Sequence, residues 1–398
     1  MKILMLTPYL PYPLWSGGQI RTYNLIKNLS KKHKIYLYSF IRHRSEKEHI
    51  SILKNYCVTV ETFFKRPPWS LTSLTLSALT FYPLVVCMYL NSALKRSITQ
   101  AIENERFDLI HAETFYVMPN IPKNNIPIIL AEQTIEYLVY QHYTESVGFL
   151  PKRLVMGWDV AKIRFWEKRF WQKATRVVTM SLADKKVMQD LDPNLMVDLV
   201  PNGVDTSFFR QKKIKRLTSK KTILFVGNFK WLQNREAATI LIKDVWPKIK
   251  KKLPETRLWI VGRYPPKLIL KFASDSVKIS DNIDDIRQVY NITDVLLAPI
   301  YGPGGTRYKI LESMATGIPV VTTPTGIEGI GAIHKETALT AESPDELAAE
   351  TINVLTDVSL YSKLAENGRK LVEEKFNWQK ITDRLDHIYK DAACAKKN

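Results

Sequence analysis

Short apolar runs alternate with longer amphipathic stretches along the whole chain. In the first half the runs are Ile3–Leu6, "KIYLYSF", "FDLIHAE", "IPIILAE" and "ATRVVTMS". Each is bounded by polar residues, as buried strands are. Helical periodicity lies between them, over about Arg21–Leu29 and in "WDVAKIRFWEKRFWQKA". The second half repeats the alternation with "KTILFVGNF", "TRLWIVGRYP", "SVKIS", "DVLLAPI" and "PVVTTP". There "NREAATILIKDVWPKIKKKLP" reads as one helix, with Asn234 as its candidate cap. Strands alternating with helices imply parallel sheets covered on both faces. The pattern predicts two doubly wound α/β domains, joined near "LVPNGVDTSFF", where Pro201, Asn202 and Gly203 mark a turn.

In open parallel sheets, ligands bind beyond the carboxyl ends of the strands. Gly17-Gly18 follow the first strand of the first domain, and Gly304-Gly305 follow "DVLLAPI" in the second. A lone Gly-Gly pair is most often a turn. Two pairs facing each other across a cleft make a candidate diphosphate clamp, because glycine admits close approach and helix amino ends attract anions. The second pair opens "GPGGTRYKILESMATGIPVV", where Ile310, Leu311 and Met314 share one face of a helix predicted over 306–316. Arg307 and Lys309 then fall in its first turn, where the helix end is already positive. A bound diphosphate would turn both into useful partners. The plain alternative is that they point to solvent, or pair with Glu312, three residues beyond Lys309. Glu312 is otherwise a candidate acceptor for sugar or ribose hydroxyls.

Composition narrows the field. The 398 residues are 45% hydrophobic and 24% charged, in keeping with two or three globular domains. Three scattered cysteines exclude a disulfide scaffold and a cysteine zinc site. "MKILMLTPYL" reads as a first strand rather than a secretion signal, so a cytoplasmic protein is expected. The net charge of +19 is divided almost evenly between the halves, so no nucleic-acid arm stands out and no nucleic-acid partner is expected. No charged residue occurs between Pro67 and Leu94, and Lys65-Arg66 and Lys95-Arg96 bracket this stretch. Its proline, serines and threonines argue against a spanning helix. Two readings remain: a loop and amphipathic helix in peripheral contact with an anionic membrane surface or a lipid acceptor, supported by the Trp- and Arg-rich stretch Trp158–Trp171, or an ordinary internal helix, with Trp166 and Trp171 packed in the core.

These blocks together resemble the retaining GT-B fold glycosyltransferases often called family 4. The matching segments are the Gly17-Gly18 loop, "VPNGVD" at Val200–Asp205, "FVGNFKWLQNREA", "LWIVGRYP", "DNIDDIRQVYNITDVLLAPI" and, most specific, "GGTRYKILESMATGIPVVTT". The Gly-Gly-Thr-Arg-x-Lys pattern is similar to that of bacterial polysaccharide glycosyltransferases. The resemblance implies two Rossmann-like domains: an acceptor-binding one over 1–200 and a nucleotide-sugar-binding one over 201–377. A helix over 378–398 would cross back to the first. It implies donor contacts at Gly17, Gly18, Gly227, Asn228, Gly262, Arg263, Gly304, Gly305 and Thr306, with Arg307, Lys309 and Glu312 at the reacting end. Two positions depart from the family. Gly304 stands where many members carry the first of two glutamates, and Gln133 stands where many carry a histidine. Gln133 and Glu136 become candidates for positioning sugar or acceptor; an exposed helix-start carboxylate is the alternative for Glu136.

The implied reaction moves a sugar from a nucleoside diphosphate to a glycan or lipid-linked saccharide, with retention, at the inner face of the membrane. Negative charge builds on the leaving diphosphate and needs a counter-charge. "DLD" at Asp190–Asp192 precedes a proline in a turn pattern rather than following a strand, and is a poor metal site. Fixed cations and a helix dipole are the expected substitute, with no metal and no cofactor. Two other readings stay open: a nucleotide-sugar epimerase of the same fold, and a non-catalytic module binding sugar nucleotides or glycans. A dehydrogenase is disfavoured, since no Gly-x-Gly-x-x-Gly follows the first strand.

Overall fold

A computed structural model describes residues 1–395, apart from 211–219, 282 and 303–306. The chain divides into two compact units, one of residues Met1–Pro201 with Ile381–Asn398, the other Asn202–Lys380. In the first, β1 (Lys2–Thr7), β2 (Lys34–Ile41), β3 (Thr59–Phe64), β4 (Leu109–Glu113), β5 (Ile128–Glu132), β6 (Arg176–Thr179) and β7 (Val197–Leu199) form one parallel sheet in the order β3-β2-β1-β4-β5-β6-β7. In the second, β8 (Thr222–Val226), β9 (Arg257–Val261), β10 (Val277–Ser280), β11 (Val295–Ala298), β12 (Val320–Thr322) and β13 (Leu339–Thr340) run β10-β9-β8-β11-β12-β13. Both orders are doubly wound. The winding reverses between β1 and β4, and again between β8 and β11.

The central strands are apolar without interruption because both faces are covered. Ile3, Leu4 and Met5 are fully buried, as are Leu296 and Leu297 of β11. The first register pairs Ile3 with Ile35 on one side and with Leu109 on the other. β3, β7 and β13 have no counterpart in the apolar runs of the sequence. Each lies at a sheet edge, where one side of the strand faces no partner and the residues are mixed, as in "TVETFF".

Several local elements differ from the sequence expectation. The first helix runs Gly17–Leu29 and begins at the glycine pair itself, capped by Ser16, whose side chain accepts from the Gln19 N–H. The stretch 67–94 holds helices Leu71–Leu79 and Leu84–Tyr89 and leads into Ser92–Asn104. "NREAATILIKDVWPKIKKKLP" is not one regular helix. It divides into Leu232–Ile240, a wide π-type turn over Leu241–Val245, and Trp246–Lys252. Pro247 explains the division: it has no N–H to donate, and its ring crowds the carbonyl four residues back. Asn234 does not cap; it lies inside the first turn, and Trp231 holds the cap position without a side-chain bond. The helix predicted over 306–316 is Tyr308–Thr316, with Arg307 at the cap position and Gly317 closing it at φ 71° in the left-handed region.

The helix Trp378–Ala395 starts in the second unit, and from Ile381 onward belongs to the first. There Tyr389 Oη lies 2.7 Å from His111 Nδ1 on β4, and His33 Nε2 lies 2.8 Å from Asp386. Asp192 ends the helix Leu182–Leu191 and accepts from Gln172 Nε2 at 2.7 Å, a structural use of the "DLD" acid. Among the described residues no helix is long and apolar enough to cross a membrane.

The turns after β8 and β9 touch directly. A Cβ on Gly262 would lie 1.6 Å from the Gly227 carbonyl oxygen, which is backbone and cannot step aside. Gly262→Ala is therefore expected to cost about 1–3 kcal/mol or more, measured as a lowered urea midpoint with unchanged slope.

Candidate functional site

The second unit assembles its polar groups at the carboxyl ends of β8, β9 and β11, where the winding reverses. Gly227 and Asn228 follow β8, and Gly262 and Arg263 follow β9. The two turns are tied by Gly227 N donating to Val261 O at 2.9 Å and Phe229 N to Arg263 O at 2.9 Å. Beyond β11, Arg307 Nη2 donates to the Gly302 carbonyl at 2.8 Å, while Arg307 Nε is buried and has no hydrogen-bond partner among the described residues. Gly304, Gly305 and Thr306 lie outside the described residues.

Lys309 points back to β8. Its Nζ donates to Asn234 Oδ1 at 2.7 Å and lies 4.4 Å from the centre of the Phe225 ring. Asn234 Nδ2 in turn donates to Asn228 O at 2.9 Å. Glu312 does not pair with Lys309 through a short contact. Its Oε2 accepts from Tyr290 Oη at 2.8 Å.

Burial, then the charge of Arg307, push Lys309 down to about 7, against the pull of Glu312. Burial likewise lowers Arg307 and raises Glu312. These two cations are thus held where water does not satisfy them and a helix dipole opposes them. An anion there would relieve both. Protonation of Lys309 costs the folded state its full penalty below about pH 7 and nothing above the ordinary lysine value of 10.5. Without ligand, Lys309→Met is expected to gain most over wild type below pH 7, the gain fading as pH rises toward 10.5. Chemical denaturation across that range reads the trend.

The first unit carries a separate buried network at its own reversal point, between β1 and β4. A Cβ at Gly18 would lie 2.2 Å from Tyr9 Oη and 2.7 Å from Gln133 Oε1. Gln133 Nε2 donates to Tyr9 Oη at 2.6 Å and to Glu113 Oε2 at 2.9 Å. Glu113 Oε1 is 3.1 Å from His111 Nε2. With the proton on Nε2, His111 donates to Glu113 and accepts from Tyr389, so every group in the chain is served. Burial alone would raise Glu113. The His111 bond, the charge of Arg21 and the Gln133 amide outweigh it and hold the carboxyl below its ordinary value. With both amide hydrogens committed, Gln133 has Oε1 as its remaining acceptor, beside Gly18.

Glu136 stands apart from this chain, at the start of the helix Glu136–Glu145. Burial pushes it up to about 7. The N–H groups of Glu136 and Tyr137 donate to Glu167 Oε1 and Oε2 at 2.8 and 3.1 Å, so Glu167 caps that helix from the long helix Leu150–Lys173. Glu132 Oε1 accepts from Trp171 Nε1 at 3.1 Å. Burial, reinforced by neighbouring carboxylates, raises both Glu132 and Glu167.

Sequence reasoning missed Tyr9, His111, Glu113, Asn234 as a lysine partner, Tyr290 and Glu167. One signal was available: "FDLIHAE" and "IPIILAE" both end an apolar strand in glutamate, and a carboxylate at the end of a buried parallel strand needs partners. Glu113→Gln would set an amide N–H against the His111 or Gln133 donor. A loss of about 1–3 kcal/mol is expected. Because the folded-state value is depressed, the Glu113 contribution is present above its unfolded value and is lost as pH falls through the folded one. The variant should lack that acid-dependent loss, as read from melting temperature against pH.

Two doubly wound units, each with a glycine turn and polar groups at the reversal point of its sheet, have the architecture of the GT-B glycosyltransferases. The chain belongs to the family-4-like group of these enzymes. Two family models match it, Glycosyltransferase Family 4 over residues 15–208 and Glycosyl transferases group 1 over residues 220–357. An uncharacterized 44.6 kDa protein in the cps region of Klebsiella pneumoniae is 20% identical over 96% of this chain and 97% of its own length. The capsular polysaccharide biosynthesis glycosyltransferase CapM of Staphylococcus aureus is 29% identical over 35% of this chain and 34% of its own. Among solved structures, Anabaena Alr3699/HepE in complex with UDP and glucose superposes with a TM-score of 0.67 at 18% identity, covering 98% of this chain and all of that one.

Proposed function

We propose that this glycosyltransferase moves a sugar from a nucleoside diphosphate sugar to a growing glycan or a lipid-linked saccharide, with retention of configuration, in polysaccharide biosynthesis at the cytoplasmic face of a membrane. The observation that carries the donor half is the pair Arg307 and Lys309, two partly buried cations at the amino end of the helix Tyr308–Thr316, one with an Nε that has no partner among the described residues. Such a pair suits the diphosphate, whose charge grows as the sugar departs. The reading gives the leaving-group role to these cations and the helix end, without a metal. Glu312, oriented by Tyr290, is assigned to sugar or ribose hydroxyls. Gly227, Asn228, Gly262 and Arg263 border the nucleotide, and Gly17 and Gly18 complete the donor contacts. Gln133 Oε1 and the Glu136 carboxyl are assigned to sugar or acceptor hydroxyls; Glu136, poised near neutrality, either donates or accepts a hydrogen bond.

The relatives supply direction for the substrates. UDP and glucose occupy the Anabaena structure, and CapM is named for capsular polysaccharide biosynthesis. A uridine diphosphate sugar is therefore the first donor to offer. At a hundred times its dissociation constant a ligand stabilises by about 2.7 kcal/mol, so a thermal-shift panel of nucleoside diphosphates identifies the base. Incubating UDP-N-acetylglucosamine without acceptor separates the epimerase alternative, which alone would release a changed sugar.

Arg307→Ala tests the reading. Loss of one preorganised donor costs roughly 3 kcal/mol in the transition state, so turnover should fall on the order of a hundredfold or more, with a smaller change in KM. The same change removes the bond to Gly302 O, worth about 1 kcal/mol, and relieves a few tenths at the helix end. A slight loss of stability is expected. Full turnover in Arg307→Ala with an identified donor and acceptor would remove the diphosphate from this turn.

A further inference from the structure

The first unit presents an apolar face that its own fold leaves bare. Residues 69–81 contribute Trp69 and Leu79, 82% and 86% exposed, with Leu71 and Phe81 beside them. The first turns of the helix Leu150–Lys173 contribute Leu154, Val155 and Trp158, all more than 60% exposed. Large aromatic and aliphatic side chains this exposed, on two neighbouring helices, go beyond the scattered apolar residues of an ordinary surface.

The two segments are fastened together as one platform. Lys162, 4% exposed, donates to Ser77 O at 2.7 Å and to Ser77 Oγ and Tyr82 O, each at 3.2 Å. Trp166 Nε1 donates to Phe81 O at 2.8 Å, and Leu84 N to Asp159 Oδ1 at 3.0 Å. The Phe81 ring sits 5.0 Å from Phe165 and 6.1 Å from Trp158, edge-on to both. A buried lysine spent on holding a charge-free helix in place implies that the outer side of that helix has a use.

Charge says what covers it. Between residues 65–96 and 146–173 the only acids are Asp159 and Glu167. Asp159 is bound to Leu84 N and Glu167 is buried on the helix at 136. The exposed charges of the platform helix are cationic: Lys152, Arg153, Arg164, Arg169 and Lys173. A second copy would bring these cations against their own kind across a two-fold axis. A surface of phosphate headgroups over hydrocarbon meets both features at once.

We propose that this platform docks flat on an anionic bilayer. Trp69, Leu79 and Trp158 enter the boundary of headgroups and acyl chains to about 5–10 Å, and Lys152 and Arg153 engage lipid phosphates. The docking is independent of the sugar chemistry, and so is its test. The full chain is co-sedimented with vesicles of phosphatidylcholine alone or mixed with phosphatidylglycerol, at low and high salt. Binding to the mixed vesicles only, weakened by salt, is expected. Replacing Lys152 and Arg153 with alanine should lower partition roughly fivefold for each cation removed. Trp158→Ser and Leu79→Ser should each lower it too, with unchanged melting temperature, since both sites are exposed. Vesicles carrying brominated acyl chains should quench tryptophan fluorescence in the wild type and less in a Trp69→Phe, Trp158→Phe double variant. Equal binding to both vesicle types, no quenching, or concentration-dependent self-association abolished by Trp158→Ser would each overturn the proposal.

Discussion

Where the winding of a parallel sheet reverses, the two neighbouring crossovers leave in opposite directions and neither covers the ends of the strands between them. The rest of this structure depends on that constraint. At β8 and β11 the uncovered ends admit Gly227, Asn228, Arg307 and Lys309 together. Polar groups there, at 2.7–3.0 Å from their partners, are spent on fixing turns and side chains rather than on filling space. A site with unfavourable groups in it, such as a lysine lowered to about 7 beside an arginine, persists because the apolar strands beneath are buried throughout and supply stability from elsewhere.

The first unit solves the same geometric opening with different chemistry. The opening there is not built on a lysine and an arginine at a helix start; the charge of Arg21 acts instead on a buried acid. That carboxylate, held ionised by histidine and glutamine as well, takes their place, and Tyr389 from the far end of the sequence completes its support. The orientation of the Gln133 amide is thereby fixed from behind, by Glu113 and Tyr9. A histidine at that position would lack the second amide hydrogen that serves both acceptors, so the network is built around glutamine.

The strands at the middle of each sheet were legible because two-sided burial leaves an uninterrupted apolar run. The edge strands β3, β7 and β13 were not, since mixed burial mimics loop composition. Arg307 and Lys309 stood out because their charge is wrong for a helix start. The donors and acceptors that orient them did not: Asn234 reads as a cap in a linear pattern, and only the start at Leu232 moves it inward toward Lys309. The link from His111 to Tyr389 crosses 278 positions and leaves no local trace. The platform was half legible, as a charge-free segment; that a buried Lys162 joins it to the long helix was not.

The wide turn at Leu241–Val245 has a consequence for this site's tuning. A π-type turn holds one residue more than the α-helical path, and each residue of a helix advances it by about a third of a turn. Everything before the turn is therefore set in angular phase by that extra residue, while everything after it is anchored in the core through Val245, Trp246 and Ile249. Asn234 meets Lys309 in that phase. Pro247, more than three helical turns beyond Asn234, thus acts as the set-screw for the angle at which the lysine is held.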